Sequence, residues 1–192
     1  MKTKSIFHVV MLLAVAAVMT ALMGCNPVKN DPDQPSKPTE PAEPDNTPVG
    51  AFMNYSFATY EDLLDVFNID IEYYDEKGNI QKLRLKEAAW GLRVDTKSLP
   101  AKFGMRVLFS LNSSYSLNPY DVVNISYDYS YNSSATNSDG KAVGEHYKKA
   151  FSTELDCESG KILQWLDSYA THPASFMFEY DASGKGKAVD WK

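Results

Sequence analysis

An alternation of apolar and polar residues runs through much of residues 65–131, and it constrains the fold more than any other feature of the sequence. The apolar positions of three such stretches are Phe67, Ile69, Ile71 and Tyr73; Phe103, Met105, Val107, Phe109 and Leu111; and Val123, Ile125, Tyr127, Tyr129 and Tyr131. Successive side chains of a β-strand point to opposite faces, so each stretch predicts a strand with one buried face. Leu108 alone interrupts the second stretch.

Turn residues separate the predicted strands, as in Asp75–Asn79 and Asp181–Gly184. One helical pattern occurs in residues 161–169, where Ile162, Trp165, Leu166 and Tyr169 follow the 3.6-residue period. Residues 146–155 fit a strand and a helix equally well. We therefore expect a mainly β fold, an immunoglobulin-like two-sheet β-sandwich with one short helix near residues 161–169. A small barrel is the alternative.

The segment before this domain has the composition of a linker. Residues 26–50 contain seven of the ten prolines of the chain: Pro27, Pro32, Pro35, Pro38, Pro41, Pro44 and Pro48. Proline fixes φ and removes a backbone donor, so neither a helix nor a sheet can continue through the segment. We expect residues 25–50 to be a disordered, Pro-rich and acidic tether, and residues 51–192 to be a single domain.

The first 24 residues carry a different signal. The basic start, Met1–Lys4, precedes an apolar run, Ile6–Met23, and the stretch Leu22–Cys25 ends with glycine followed by cysteine. A short apolar segment with these flanks is typical of a signal peptide. A retained membrane-spanning helix is the alternative, because about 20 apolar residues suffice to span a bilayer.

Leu22-Met23-Gly24-Cys25 resembles the lipobox of a bacterial lipoprotein precursor. The resemblance implies that residues 1–24 are removed, that Cys25 carries a diacylglyceryl thioether, and that lipid holds the protein to a membrane. Asn26 follows the cysteine, which by the same resemblance favours the outer membrane. The domain is similar in general pattern to small β-sandwich lipoproteins of Gram-negative envelopes. The expected location is the cell envelope, facing either the periplasm or the medium.

Charge and motifs exclude several classes of function. The chain has 19 basic and 25 acidic residues, a net charge of −6, whereas a nucleic-acid-binding protein needs a basic face. No zinc-binding, Cys-x-x-Cys or Gly-x-Ser-x-Gly motif occurs, so the sequence predicts no catalytic residue, metal site or cofactor. Once Cys25 is lipidated, Cys157 has no partner for a disulfide, and we expect it to be a buried apolar side chain.

Aromatic residues are the one compositional excess that favours a ligand. Tyr127, Tyr129 and Tyr131 share the apolar face of their strand, so we expect them in the core. Tyr74 falls on the polar face of its strand and is expected to be exposed. Rings with polar tips stack on sugars, and the candidate glycan contacts are Tyr74, Trp90 and Trp191.

These observations predict a lipid-anchored, non-enzymatic module that binds an envelope protein or a glycan. A polysaccharide hydrolase and a structural subunit of a surface assembly are the alternatives. Two carboxylates facing each other across a cleft would favour the hydrolase. A flat aromatic strip would favour glycan binding, and a long bare edge strand would favour assembly by strand addition.

Overall fold

A computed structural model describes residues 45–191. The predicted signal peptide, Cys25 and residues 26–44 of the predicted tether lie outside the described residues. The described part contains β1 (Gly50–Thr59), α1 (Glu61–Val66), β2 (Phe67–Tyr74), β3 (Ile80–Arg84), β4 (Ala89–Thr96), β5 (Ala101–Leu111), β6 (Val122–Thr136), β7 (Ala142–Glu158), α2 (Ile162–Thr171), β8 (Ser175–Tyr180) and β9 (Gly186–Val189).

The strands form two antiparallel sheets. One has four strands in the order β4-β1-β6-β7, and the other has five in the order β3-β2-β5-β8-β9. The predicted mainly β, two-sheet β-sandwich is confirmed. The order of the strands differs from that of an immunoglobulin constant domain, where the first, second, fifth and fourth strands share one sheet.

The core lies between the two inner faces and follows the predicted alternation. On β6, Val123, Ile125, Tyr127, Tyr129 and Tyr131 are all buried. On β5, Phe103, Met105 and Val107 are buried opposite them, whereas Phe109 and Leu111 are partly buried. The three tyrosines of β6 are therefore core residues, as the period of two predicted.

Tyr55 of β1 ties the two sheets together through its hydroxyl group. The β2–β5 ladder ends at the pair of Tyr73 and Met105. Beyond it, the Tyr55 O–H donates to the carbonyl of Tyr74 at 3.2 Å and accepts from the N–H of Gly104 at 3.2 Å. Tyr55 is 2% exposed, so these backbone groups depend on its hydroxyl group rather than on water.

The predicted helix is α2, which follows a short 3-10 turn at Ser159–Lys161. Trp165 packs against Phe67 and Phe109, each with ring centroids 5.5 Å away. The Tyr169 O–H donates to the carbonyl of Val107 at 3.0 Å, which anchors α2 to β5. No described helix is long and apolar enough to cross a bilayer.

Residues 45–49 contact the sandwich, although the composition assigned them to the tether. The N–H of Val49 donates to the carbonyl of Thr136 at 2.8 Å, which extends the pairing of β1 with β6 by one residue. The side-chain amide of Asn137 donates to the carbonyl of Asp45 at 2.6 Å. The last residues of the predicted tether are thus part of the folded domain.

Candidate functional site

β7 is the longest strand of the described chain, with 17 residues, and it forms an edge of the four-stranded sheet. It pairs with β6 from Ala142 to Glu158, and no described strand pairs with its other side. The backbone groups on that side are thus available to another strand, which makes an unprotected edge a template for strand addition.

The first half of β7 carries features that disfavour strand addition. Gly144 and Glu145 are extra residues, because Ser134 pairs with His146 whereas Ala135 pairs with Val143. Such a bulge bends the edge away from a straight partner.

Two side chains extend this protection. The Tyr147 hydroxyl accepts a hydrogen bond from the N–H of Gly186, at 3.3 Å, and so links β7 to β9 of the other sheet. Lys149 occupies an inner-face position opposite Tyr131, with its Nζ 4.7 Å from the centroid of the Phe151 ring. Inward-pointing charges are a known protection of sheet edges.

The second half of β7, residues 150–157, has neither a bulge nor a proline. Its outer positions, Ala150, Ser152, Glu154 and Asp156, are exposed, and its inner positions, Phe151, Thr153 and Leu155, are half-buried. The Phe151 ring stacks on Tyr129 with centroids 4.5 Å apart and planes 7° apart. A strand added here would cover the half-buried row and bury more apolar surface. We call residues 150–157 the open edge.

The sheet face beside the open edge carries short polar side chains. Short side chains bridge its strands: Asn54 donates to Asn132 at 2.6 Å, and the Ser56 and Ser130 hydroxyl groups are 2.7 Å apart. A shallow depression of about 400 Å³ lies among these short side chains, next to Ser152. Among residues 45–191, no bulky exposed ring of the kind a glycan platform needs lies on this face, so the edge rather than the face is the stronger candidate for binding.

A second candidate site lies at the end of the sandwich where β1 leads into α1. An open pocket of about 500 Å³ is lined by Tyr60, Asp62, Leu63, Asp65, Val66, Tyr115, Val122, Val123 and Asn124. Tyr60 is 66% exposed, and Tyr120, in the loop that joins the lining residues Tyr115 and Val122, is 92% exposed. Exposed tyrosines next to carboxylates are suited to stacking on a sugar and bonding its hydroxyl groups.

Sequence reasoning found neither candidate site. α1 has six residues, too few for a helical period to stand out. The signal that was present is the acidic first turn, Glu61 and Asp62, followed by Leu63 and Val66 three residues apart. The open edge was missed because the strand order, which decides which strands lie at an edge, does not follow from local pattern.

The structure brings two of the three predicted glycan contacts together and places the third elsewhere. Tyr74 and Trp191 meet on the outer face of the five-stranded sheet, with ring centroids 5.4 Å apart. Trp90 packs between the sheets at the opposite side, where its ring centroid is 6.3 Å from Tyr55 and 5.7 Å from Tyr73. The three rings therefore form no common strip.

The expected exposure of Tyr74 is wrong, because its side chain is only 5% exposed. Trp191 leaves the last strand and lies across the outer face, over Tyr74 and Gly104. A Cβ at Gly104 would lie 2.8 Å from the Trp191 ring, so glycine is needed there for the ring to reach the sheet. Two cations also pack against these rings. The Arg106 guanidinium lies 5.1 Å from the centroid of the Trp191 ring, and the Lys102 ammonium lies 4.5 Å from the centroid of the Tyr74 ring.

Carboxylates near Tyr74 form ion pairs on the same sheet face. The Arg84 guanidinium donates to both oxygens of Asp70, at 2.7 and 3.0 Å, and this hydrogen bonding lowers the pKa of Asp70. Arg106 binds Glu72 with its Nε 3.1 Å from the carboxylate. These contacts hold adjacent strands of the five-stranded sheet together, which gives Asp70 and Glu72 a structural role.

Two acids also line the end pocket, but they share one wall. Asp62 and Asp65 belong to the same short helix, three residues apart, and therefore lie side by side. A glycoside hydrolase needs two carboxylates on opposite sides of the scissile bond. Within the described chain, the pocket supplies no second acidic wall among its lining residues.

Cys157 lies at the end of β7 and is buried. Burial is the main cause that raises the pKa of its thiol, and the nearby Glu158 carboxylate raises the pKa further. A thiol with a raised pKa is mostly protonated at neutral pH and is a weak nucleophile. Its position on the inner face opposite Val123 agrees with the expected apolar role.

In residues 45–191, no group of three or more His, Cys, Asp or Glu side chains is arranged to hold a metal ion. A comparison of the whole sequence with models of protein families found no match, and a comparison with curated proteins found no similar sequence.

Proposed function

We propose that this chain is a lipid-anchored protein of the bacterial cell envelope that binds a partner protein by strand addition at the open edge. The observation that carries the proposal is the unpaired side of β7 over residues 150–157, flanked on its N-terminal side by a bulge and an inward-facing lysine. Such protection disfavours pairing at the bulged start of β7 and favours pairing along the second half of the strand.

The lipid anchor is proposed from the resemblance of Leu22–Cys25 to a lipobox. Its test uses the two cysteines of the chain as a matched pair. Cells producing the full chain are labelled with a radioactive fatty acid and fractionated. We expect Cys25→Ser to abolish both the label and recovery with membranes, and Cys157→Ser to retain both. Label that persists in Cys25→Ser, or is absent from the wild type, would refute the anchor.

Strand addition is tested with a photoreactive residue at Ala150, an exposed position of the open edge, in intact cells. Thr153→Lys places a charge at a half-buried inner position of the open edge. Thr96→Lys is the control, because Thr96 is half-buried at an inner position of β4, the opposite edge of the same sheet. We expect a crosslinked product that Thr153→Lys removes and Thr96→Lys retains.

Both lysine variants must unfold at similar temperatures for this comparison to hold. A crosslinked product that is equally abundant in the two variants would show that pairing at the open edge does not produce it. Absence of any crosslink in the wild type would refute binding at this edge in the envelope.

Glycan binding at the end pocket is the second candidate function, favoured by the exposure of Tyr60 and Tyr120. The protein lacking residues 1–25 is titrated with a panel of polysaccharides while its melting temperature is followed, since a ligand of the folded state raises that temperature. We expect Tyr60→Ala and Tyr120→Ala to abolish the rise, and Ile80→Ala, on exposed β3, to retain it. A rise that survives both tyrosine variants would exclude this pocket.

A further inference from the structure

Three charges on the outer face of β7 are separated by sign along the strand. Lys148 lies before the open edge, and Glu154 and Asp156 lie near its end; all three are exposed. None of the three forms an ion pair with another residue of the described chain. The row is therefore basic at one end and acidic at the other. If a second copy of the strand lies beside it in the opposite direction, the basic end of each strand faces the acidic end of the other.

We propose that the strand added at the open edge is β7 of a second copy of this chain, paired antiparallel about a two-fold axis. This inference rests on the proposed function, since it names the partner that binds the open edge. A two-fold axis makes the interface self-complementary. The dimer joins two four-stranded sheets, β4-β1-β6-β7 and its copy, into one continuous sheet.

The register follows from the side-chain alternation. A two-fold axis perpendicular to the sheet pairs residues that lie on the same face. With the axis at Ser152, Lys148 lies opposite Asp156 of the other copy; with the axis at Phe151, it lies opposite Glu154. Each register therefore creates two opposite-charge pairs, one on either side of the axis.

Alternative self-pairings are less favourable. Parallel pairing in register would place lysine beside lysine and aspartate beside aspartate, and like charges directly opposite each other destabilise a sheet. Near the axis, the outer row has only Ala150 and Ser152, which are small and exposed. No bulky outer side chain thus keeps the two backbones apart.

Three charge variants test the pairing in either register. Lys148→Glu makes these three outer charges all acidic, and Glu154→Lys with Asp156→Lys makes all three basic. The triple variant, which carries all three changes, restores self-complementarity with the signs reversed. The protein lacking residues 1–25 is studied by sedimentation velocity over a wide concentration range, alone and in equimolar mixtures.

We expect the wild type to associate reversibly and more weakly as salt is raised. The acidic and the basic variants should each dimerise about tenfold or more weakly than the wild type, because two attractive pairs become repulsive. An equimolar mixture of the two should recover association as a heterodimer, and the triple variant should recover it alone.

Thermal unfolding of each variant provides the folding control, because Asp156 also accepts a hydrogen bond from the Asn124 amide at 2.9 Å. A monomeric wild type, a mixture that stays monomeric, or single-sign variants that associate like the wild type would overturn the homodimer. If the homodimer fails while the Ala150 crosslink in cells still depends on Thr153, the open edge binds a different protein and the proposed function stands. If both fail, both proposals fall.

Discussion

Removing the Tyr55 hydroxyl group, which makes two buried hydrogen bonds, should cost far more stability than removing a tyrosine hydroxyl group that makes none. Tyr55→Phe keeps the ring, which packs against Tyr73 and Phe176 with centroids 6.0 Å away. It leaves the N–H of Gly104 and the carbonyl of Tyr74 without the partner that joins them at the end of the β2–β5 ladder.

The magnitude follows from these two orphaned groups. A buried backbone donor or acceptor that loses its partner costs about 1–3 kcal/mol. Two such groups give a loss of about 3 kcal/mol in the free energy of unfolding. For a domain of this size the same loss lowers the melting temperature by about 6–12 °C. With a urea m-value of about 2 kcal/mol/M, it lowers the midpoint by about 1.5 M.

Tyr131→Phe is the matched control. Tyr131 is also a core residue, but its hydroxyl group makes no hydrogen bond with the described residues. Its loss should cost less than about 1 kcal/mol. Urea unfolding, followed by tryptophan fluorescence with m-values compared, measures both variants. Equal midpoints for Tyr55→Phe and Tyr131→Phe would show that the two hydrogen bonds contribute nothing to holding the sheets together.

Two further predictions concern the outer face of the five-stranded sheet and the alkaline limit of stability. Trp191→Ala should lower the free energy of unfolding by about 2 kcal/mol, because it uncovers Tyr74 and the backbone at Gly104. Unchanged urea unfolding of this variant would show that the Trp191 ring does not stabilise the sheet. Burial raises the pKa of Tyr180 to about 12, from 10.0. The unfolded chain therefore loses this proton first, and stability should fall between pH 10 and pH 12 by up to about 3 kcal/mol. Tyr180→Phe should show a smaller fall in stability measured by urea unfolding across that range, and an equal fall would refute the assignment to Tyr180.

The fold class could be predicted because the sheets have one buried face each. Burial on one face imposes the period of two that is visible in Ile69 and Ile71, in Met105 and Val107, and in the tyrosines of β6. The helix of residues 161–169 was predictable for the same reason, since its apolar stripe repeats at the helical period. Local pattern and burial agree at these elements.

Tyr74 could not be placed from the sequence because a distant residue decides its environment. Its strand alternates as predicted, and its side chain points to the outer face beside Asp70 and Glu72. Trp191, more than a hundred residues further along the chain, then covers it. The alternation fixes only which face a side chain occupies; whether that face is covered depends on a contact that no local pattern records.

β7 could not be predicted for a related reason. Residues 146–155 fit a strand and a helix equally, because an edge strand is incompletely buried and a lysine, Lys149, occupies one of its inner positions. The irregular pattern that obscured the strand in the sequence is the pattern that protects an edge in the fold. A strand with a weak apolar–polar alternation that pairs with a strongly alternating strand is therefore a candidate edge strand, once the pairing of the two strands is known.

The open edge exists because the two sheets differ in length on the side of β7. β7 has 17 residues, whereas β9, the edge strand of the opposite sheet on this side, has four and reaches β7 through Tyr147. The hydrogen bond from Gly186 to Tyr147 and the bulge before Tyr147 make strand addition unfavourable at the first half of β7. The unrestricted half begins where these contacts end. The charges that complement a reversed copy lie just before it, at Lys148, and near its end, at Glu154 and Asp156. Protection and charge thus select the same segment for binding, and the crosslinking and charge-reversal experiments test these two features separately.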